Sequence, residues 1–282
     1  MTNDKPEIPA AEVKKVESEP QPIGPPKSIF REYFESFTVT LVMALFGMTF
    51  ILQAVTVPTG SMQNTILIGD YLLVNKFIFT PGGQNMPFLP QREIQRGDVI
   101  VFKYPGNKLH PEADRAHGSS ATAYQSNYVK RVIGLPGETV EFRNDHVYIN
   151  GELLPEHRVI GEAKDDQSAL DIREFEERLP DQKWDVYYSN DSLRKGDSLP
   201  LRRDFEFGVR GKTMVVPPNS FFCMGDSRDQ SEDSRVWGFV PRELIIGRAM
   251  FVYWSCDRGA SNGDMFGCVT HPRLSRIFKF VK

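Results

Sequence analysis

The chain contains one long stretch without charge, followed by shorter stretches in which apolar and polar residues alternate. No Asp, Glu, Lys or Arg lies between Glu35 and Asp70. At about 1.5 Å per residue, the apolar run over residues 37–57 extends roughly 31 Å, the thickness of a bilayer's hydrocarbon core. A core helix usually has a polar face, which this run lacks. The apolar part of a cleaved signal peptide follows a short basic segment, whereas this run follows a long segment rich in proline and acidic residues. The pattern predicts an uncleaved transmembrane anchor over residues 37–57.

The residues after this run show the patterns of β-strands. Segments rich in β-branched and aromatic residues, bounded by turn residues, predict strands over 70–79, 97–104 and 127–134. A hairpin is predicted over 139–151, with its turn at Asn144-Asp145. The runs MVVP, SFFCMGD and ELIIGRAMFVYWS predict later strands. The predicted fold class is mainly β, an antiparallel sheet domain behind a single N-terminal transmembrane helix.

Composition divides the chain into three parts. Residues 1–36 begin with a stretch rich in Pro, Glu and Lys that has no apolar period, which predicts a disordered cytoplasmic tail. Residues 37–57 are the predicted anchor, and residues 58–282 the predicted β-rich domain. Within that domain, residues from about 152 to 212 are strongly charged and predict an insertion whose function the sequence does not reveal.

The charges and the cysteines indicate which partners and which side of the membrane to expect. The net charge of −3 provides no basic field for nucleic acid, so no nucleic-acid partner is expected. Basic residues precede the span at Lys27 and Arg31 and next occur at Lys76, which favours a cytoplasmic N-terminus and an extracytoplasmic domain. The cysteines are too few for a disulfide scaffold and form no closely spaced metal cluster. Cys256 and Cys268 are either free thiols or, outside the cytosol, a disulfide.

One short stretch resembles the setting of a nucleophile. Ser61 lies in VPTGSMQNT, just after the apolar run, and needs a base to remove its proton. No histidine has an obvious orienting carboxylate, so a Ser-His-Asp triad is unsupported; the histidines are His110, His117, His146, His157 and His271. Lys130 is the alternative base, because burial lowers the pKa of an amine. Strand alternation leaves two arrangements open: Lys130 buried with Arg131 facing water, or the reverse.

Four blocks of sequence, in order behind the anchor, resemble the type I signal peptidases of bacteria. They are PTGSMQNTILIGDYLLVNKF (58–77), RGDVIVFKYP (96–105), YVKRVIGLPGETVEF (128–142) and GDSRDQSEDSRVWGFVP (225–241). The resemblance implies a membrane-anchored serine endopeptidase that needs no metal and no cofactor. Ser61 is then the nucleophile and Lys130 the general base. The implied supporting residues are Thr59 and the Ser61 N–H as oxyanion donors, Ser231 and Tyr128 for orienting the lysine, and Gly225, Asp226, Asp233 and Arg235 as structural residues beside the site.

The resemblance also implies the partners. On this resemblance, the expected substrates are signal peptides of exported precursors, cut after small-x-small motifs such as Ala-x-Ala. The expected location is the outer side of a bacterial cytoplasmic (inner) membrane that the chain crosses once. Membrane lipid is the second partner, and the C-terminal residues 273–282 either rest on headgroups or pack on the domain. Two rival hypotheses are a self-cleaving repressor-type Ser-Lys peptidase and an inactive anchored homologue.

This sequence departs from the family pattern at a few positions. Thr59 replaces a usual serine, which keeps the hydroxyl but restricts its rotamer. Asn64 replaces a usual proline, which predicts a looser backbone just after the nucleophile. Ser227 and Gln230 replace two asparagines in the last block. None of these changes removes a group that performs the chemistry.

Overall fold

The computed structural model describes residues 28–79, 90–107, 123–143, 146–162, 169–175, 177–189, 207, 211–257 and 265–282. The chain divides into two compact units, Met1–Leu45 and Phe46–Lys282. The predicted turn residues Asn144 and Asp145 lie outside the described residues, as do His110 and His117.

The apolar run is helical, but its bounds differ from the expected 37–57. Helix α1 is Ile29–Phe46 and continues as a π-helical turn, Gly47–Ile51. The combined segment is long and apolar enough to cross a membrane. Residues Leu52–Thr56 form strand β1 instead, because their backbone groups pair with a neighbouring strand and do not continue the helix. The division into tail, anchor and peptidase domain stays a prediction.

A seven-stranded antiparallel sheet dominates the second unit and confirms the predicted fold class. Its strand order is β1-β2-β14-β3-β4-β12-β13, so β1 is an edge strand. The strands are β1 (Leu52–Thr56), β2 (Asp70–Asn75), β3 (Val99–Lys103), β4 (Asn127–Gly134), β12 (Ser220–Met224), β13 (Val240–Pro241) and β14 (Ile245–Ser255). The short helix α2, Ser234–Trp237, and a 3₁₀ turn, Arg242–Leu244, connect the last three strands.

A second sheet contains the predicted hairpin. Its order is β11-β5-β6-β7, with antiparallel pairing throughout. The strands are β5 (Thr139–Arg143), β6 (His146–Ile149), β7 (Glu152–Leu153) and β11 (Met214–Val215). Apolar side chains of this sheet, among them Val140 and Phe142, pack with Phe222 and Met224 of the main sheet in one buried cluster.

The charged segment 152–212 contributes a third sheet, here called the insertion sheet. It consists of β8 (Glu156–Glu162), β9 (Asp171–Phe175) and β10 (Trp184–Ser189), in the order β10-β8-β9. Its β8–β10 pair is parallel, an exception to the expected antiparallel pairing. Side chains of β10 enter the same buried cluster as the main sheet. The described part of the insertion is therefore joined to the core.

The C-terminal residues pack on the domain. Cys256 and Cys268 form a disulfide, so of the two alternatives left open the structure shows the bridge and not the free thiols. Helix α3, Met265–Thr270, and a 3₁₀ turn, Leu274–Arg276, follow, and the buried guanidinium of Arg276 contacts the Asp70 carboxylate at 2.6 Å. Val281 joins a buried cluster with Met62 and Ile66, while apolar side chains remain exposed at Leu274, Phe278 and Phe280.

Candidate active site

Ser61 lies in a tight turn between β1 and β2. The turn is closed by the Gln63 N–H donating to the Gly60 carbonyl at 2.8 Å, and by the Ile66 N–H donating to Met62 at 2.7 Å. Met62 and Ile66 are buried, so they anchor the turn and leave the half-buried Ser61 at its surface. Buried apolar residues one and five positions after the serine thus hold the turn that carries its hydroxyl.

Lys130 meets the Ser61 hydroxyl from strand β4. Its Nζ lies 2.5 Å from Ser61 Oγ, across 69 residues of sequence. The side chain is 1% exposed, and this burial lowers the pKa of the amine from 10.5 to about 8. The Tyr128 ring lies 5.6 Å from Nζ, and Tyr104 and Trp237 pack against that ring. The amine therefore sits at the edge of an aromatic cluster, largely out of water.

Arg131 is buried as well. Each of the two arrangements left open by alternation had only one of Lys130 and Arg131 buried. Arg131 is 1% exposed and forms a two-bond ion pair with Asp226, at 2.7 and 2.6 Å. Both faces of β4 are covered, since the consecutive residues 130–133 alternate between the two faces and all are buried. Alternation distinguishes inside from outside only where one face meets water, so neither of the two arrangements left open matches the structure, in which both side chains are buried.

The segment 225–235 approaches Ser61 closely. A Cβ at Gly225 would lie 2.2 Å from Ser231 Oγ and 2.4 Å from the Ser61 carbonyl oxygen, so only glycine fits. Next to it, the Ser227 N–H donates to the Ser61 carbonyl at 3.2 Å. Asp226 also accepts a hydrogen bond from the Thr65 hydroxyl at 2.6 Å. The segment thereby contacts both ends of the nucleophile turn.

Asp233 and Arg235 form a fully buried ion pair in this segment. The guanidinium donates to both carboxylate oxygens at 2.8 Å, and the Gly225 N–H adds a bond of 2.9 Å. Burial alone would raise the pKa of Asp233, but the charge and hydrogen bonds of Arg235 hold it below its ordinary value. A negative charge thus persists near Lys130, and its attraction opposes part of the fall in the lysine pKa.

Two expected roles are not visible as direct contacts. The Ser231 hydroxyl donates to Asp233 at 2.9 Å, and in the part of the chain that the structure describes no hydrogen bond joins it to Lys130. Thr59 is exposed and lines the same cavity as Ser61. Orientation of the lysine by Ser231 and oxyanion stabilisation by Thr59 stay predictions.

The histidines that the structure describes do not contact Ser61. His157 has a carboxylate partner that sequence reasoning missed, Asp185, at 2.8 Å, but the pair lies in the insertion sheet. Sequence reasoning also missed the buried pair of Arg228 and Glu156, with one bond of 2.8 Å and a second, shorter contact. Arg228 lies inside a recognised block, but no spacing signal connects it to Glu156, which is 72 residues away.

A cavity of about 490 Å³ opens beside the serine. It runs along the edge strand β1 and the start of β4, and Val55, Val57, Val101 and Val129 contribute short apolar side chains. Another cavity, of about 640 Å³, contains none of the site residues. The first cavity therefore offers an extended chain both a free strand edge and the nucleophile.

A buried amine in contact with a serine hydroxyl, beside an open strand edge, is typical of a serine hydrolase. The chain belongs to the signal peptidase family, peptidase S26, whose family model matches residues 30–254. It is 34% identical to a signal peptidase I of Aquifex aeolicus, with 80% of this chain and 84% of that one covered. A signal peptidase I of Rickettsia typhi is 32% identical, with coverage of 88% and 93%, and one of Pseudomonas aeruginosa is 31% identical, with coverage of 79% and 72%. The protein is a serine endopeptidase, and the family and the apolar helix together indicate membrane anchoring.

Proposed function

We propose that this chain removes signal peptides from exported precursors by a Ser-Lys dyad and cuts after small-x-small motifs. The observation that carries the proposal is the 2.5 Å contact between Lys130 Nζ and Ser61 Oγ, combined with burial of the lysine. A lysine works as a general base only in its neutral form, and a pKa of about 8 keeps roughly one amine in ten neutral at pH 7. At 10.5 that fraction would be roughly one in three thousand.

The mechanism follows from these two groups. Neutral Lys130 accepts the Ser61 proton as Oγ attacks the scissile carbonyl, and it then donates that proton to the leaving amine. A water molecule, deprotonated by the Lys130 amine, then hydrolyses the acyl-enzyme, and the protonated Lys130 returns a proton to the Ser61 oxygen. The Ser61 N–H and the Thr59 hydroxyl stabilise the oxyanion, and each such donor is typically worth about 3 kcal/mol of the barrier.

The shape of the site supports a substrate with small side chains. Among the described strands β1 pairs with β2 only, and its other edge is the one to which an extended peptide adds as a further strand. The short side chains of the cavity leave shallow space for alanine-sized residues, and larger side chains would clash with them. This arrangement favours an Ala-x-Ala sequence just before the cleaved bond.

Membrane placement completes the proposal. The chain crosses the bacterial inner membrane once, with its N-terminus in the cytoplasm and the peptidase domain outside. The disulfide between Cys256 and Cys268 supports this orientation, because such bonds persist in oxidising compartments. Exposed Leu274, Phe278 and Phe280, with the basic residues of the same tail, provide a surface suited to lipid headgroups.

Cleavage of an Ala-x-Ala precursor by the purified full chain in detergent tests the proposal. Ser61→Ala and Lys130→Ala should each abolish cleavage, whereas Lys103→Ala, which alters an exposed lysine at the end of β3, should leave it intact. A precursor with a bulky residue in place of the last alanine should resist cleavage. Retention of most activity by Lys130→Ala would refute the dyad, and cleavage of the bulky precursor at an equal rate would refute the specificity.

A further inference from the structure

Asn64, three residues after Ser61, adopts an unusual backbone conformation and makes a contact far along the chain. Its φ is 71°, in the left-handed region that non-glycine residues seldom occupy. The side-chain Oδ1 accepts a hydrogen bond of 2.7 Å from the backbone N–H of Leu170, which is 106 residues away. The turn that carries Ser61 is thereby connected to the insertion.

Leu170 is fixed to the insertion sheet. Its side chain is buried and packs with Val159 and Tyr187, which belong to β8 and β10. It immediately precedes β9, whose first residue Asp171 pairs with Glu162. The amide that Asn64 contacts therefore adjoins the insertion sheet, and the hydrogen bond connects the turn that carries Ser61 to that sheet.

The same sheet also holds segment 225–235. The Tyr187 N–H donates to the Asp226 carbonyl at 2.8 Å, and the Arg228 N–H donates to the Tyr187 carbonyl at 2.9 Å. The guanidinium of Arg228 forms the buried two-bond pair with Glu156, the first residue of β8. Arg235, which holds Asp233, in turn donates to the Arg228 carbonyl at 2.7 Å.

We propose that the insertion sheet is a positioning platform for the reaction, with Asn64 as its link to Ser61 and the Glu156–Arg228 pair as its link to segment 225–235. This inference rests on the proposed function, since it assigns a role in the same reaction. Ser61 and Lys130 come from turns and strands far apart in sequence, and a displacement of about 1 Å between reacting groups costs on the order of 100-fold in rate. A sheet that contacts both sides of the site limits that displacement.

Kinetics of Asn64 variants test the first link. Asn64→Gly keeps the left-handed conformation but deletes the acceptor, so kcat should fall about tenfold, with KM within about twofold of wild type. Asn64→Asp restores an acceptor and should recover most of kcat. Asn150→Gly is the matched control, because Asn150 also has a positive φ, of 54°, and also accepts a backbone hydrogen bond, from Thr139, but in a hairpin whose described residues include none of the site residues.

The outcomes separate positioning from simple stability. The inference is overturned if Asn64→Gly keeps wild-type kcat, if Asn150→Gly loses as much, or if Asn64→Asp fails to recover activity. Wild-type chain that does not cleave the precursor, or cleaves it no faster than Ser61→Ala, would instead refute the proposed function itself.

Glu156→Gln tests the second link. The amide keeps the shape of the side chain but leaves the buried Arg228 without its counter-charge, so both stability and activity should fall. Activity is therefore expressed per folded molecule, with the folded fraction measured by circular dichroism in the same samples. A kcat per folded molecule at least tenfold below wild type supports the platform, and an unchanged value removes Glu156 from it.

Discussion

Replacing Lys130 by methionine should abolish activity and yet make the protein more stable at neutral pH. Methionine has nearly the length of lysine but no charge to bury. The pKa of Lys130 is about 8 in the folded state, because of burial, and about 10.5 in the unfolded chain. A tenfold change in proton affinity corresponds to about 1.4 kcal/mol, so the buried amine costs the folded state about 3 kcal/mol when it is fully protonated.

The sign of this effect fixes its pH dependence. Above pH 10.5 the amine is neutral in both states and costs nothing through protonation. As pH falls towards 8, the unfolded chain binds the proton first, so the folded state loses relative stability, and the loss is complete below about pH 8. The advantage of Lys130→Met should therefore be greatest at pH 7 and shrink steadily between pH 8 and pH 10.5.

Urea unfolding of the full chain in non-ionic detergent, at several pH values from 7 to 10.5, measures this difference. Ser61→Ala is the matched control, because it is also inactive but keeps the lysine, and its stability should follow the wild-type pH dependence. A stability difference between Lys130→Met and wild type that does not change with pH would refute the reasoning. The wild-type pH–rate profile should rise through the same pKa of about 8.

Three further changes test the surroundings of the site. Gly225→Ala should reduce kcat at least tenfold and lower the free energy of unfolding by about 1–3 kcal/mol, because the new methyl group overlaps atoms 2.2 and 2.4 Å away; steady-state kinetics and urea unfolding check both. Asp226→Asn should destabilise the protein by about 3–5 kcal/mol, because it leaves the buried Arg131 charge unpaired, and adding Arg131→Met should recover most of that loss in urea unfolding. Replacing Cys256 and Cys268 together by serine should cost about 3 kcal/mol, as expected for a loop with a sequence separation of 12, and thermal unfolding with and without reductant checks it.

The main sheet and the contact between Ser61 and Lys130 could be predicted from sequence because their signals are local or come from recognised blocks. The runs 70–79 and 127–134 contain the strands β2 and β4. The end of the helix could not be predicted, since Leu52–Thr56 is uncharged like the residues before it and becomes a strand only through its pairing with β2. The local sequence carries no information about that partner.

The contacts across the insertion were beyond sequence reasoning for a similar reason. Asn64 was expected to loosen the backbone, whereas in the structure its side chain bonds to Leu170. The Glu156–Arg228 pair joins a charged segment to a recognised block, and either residue alone resembles an ordinary surface charge. Burial of both Lys130 and Arg131 depended on the cover of both sheet faces, which alternation in one strand cannot reveal.

The sequence separations within the site have a consequence for the timing of activity. Lys130 contacts a serine 69 residues earlier, Arg131 needs a carboxylate 95 residues later, and Asp70 is held by an arginine 206 residues later. Contacts of such long range form late in folding, because each must first offset the entropy of closing a large loop. Strand β4, with two adjacent buried cations, gains its counter-charge only when segment 225–235 arrives. We therefore expect a nascent chain to remain inactive until nearly all of it has been synthesised, however early its anchor enters the membrane.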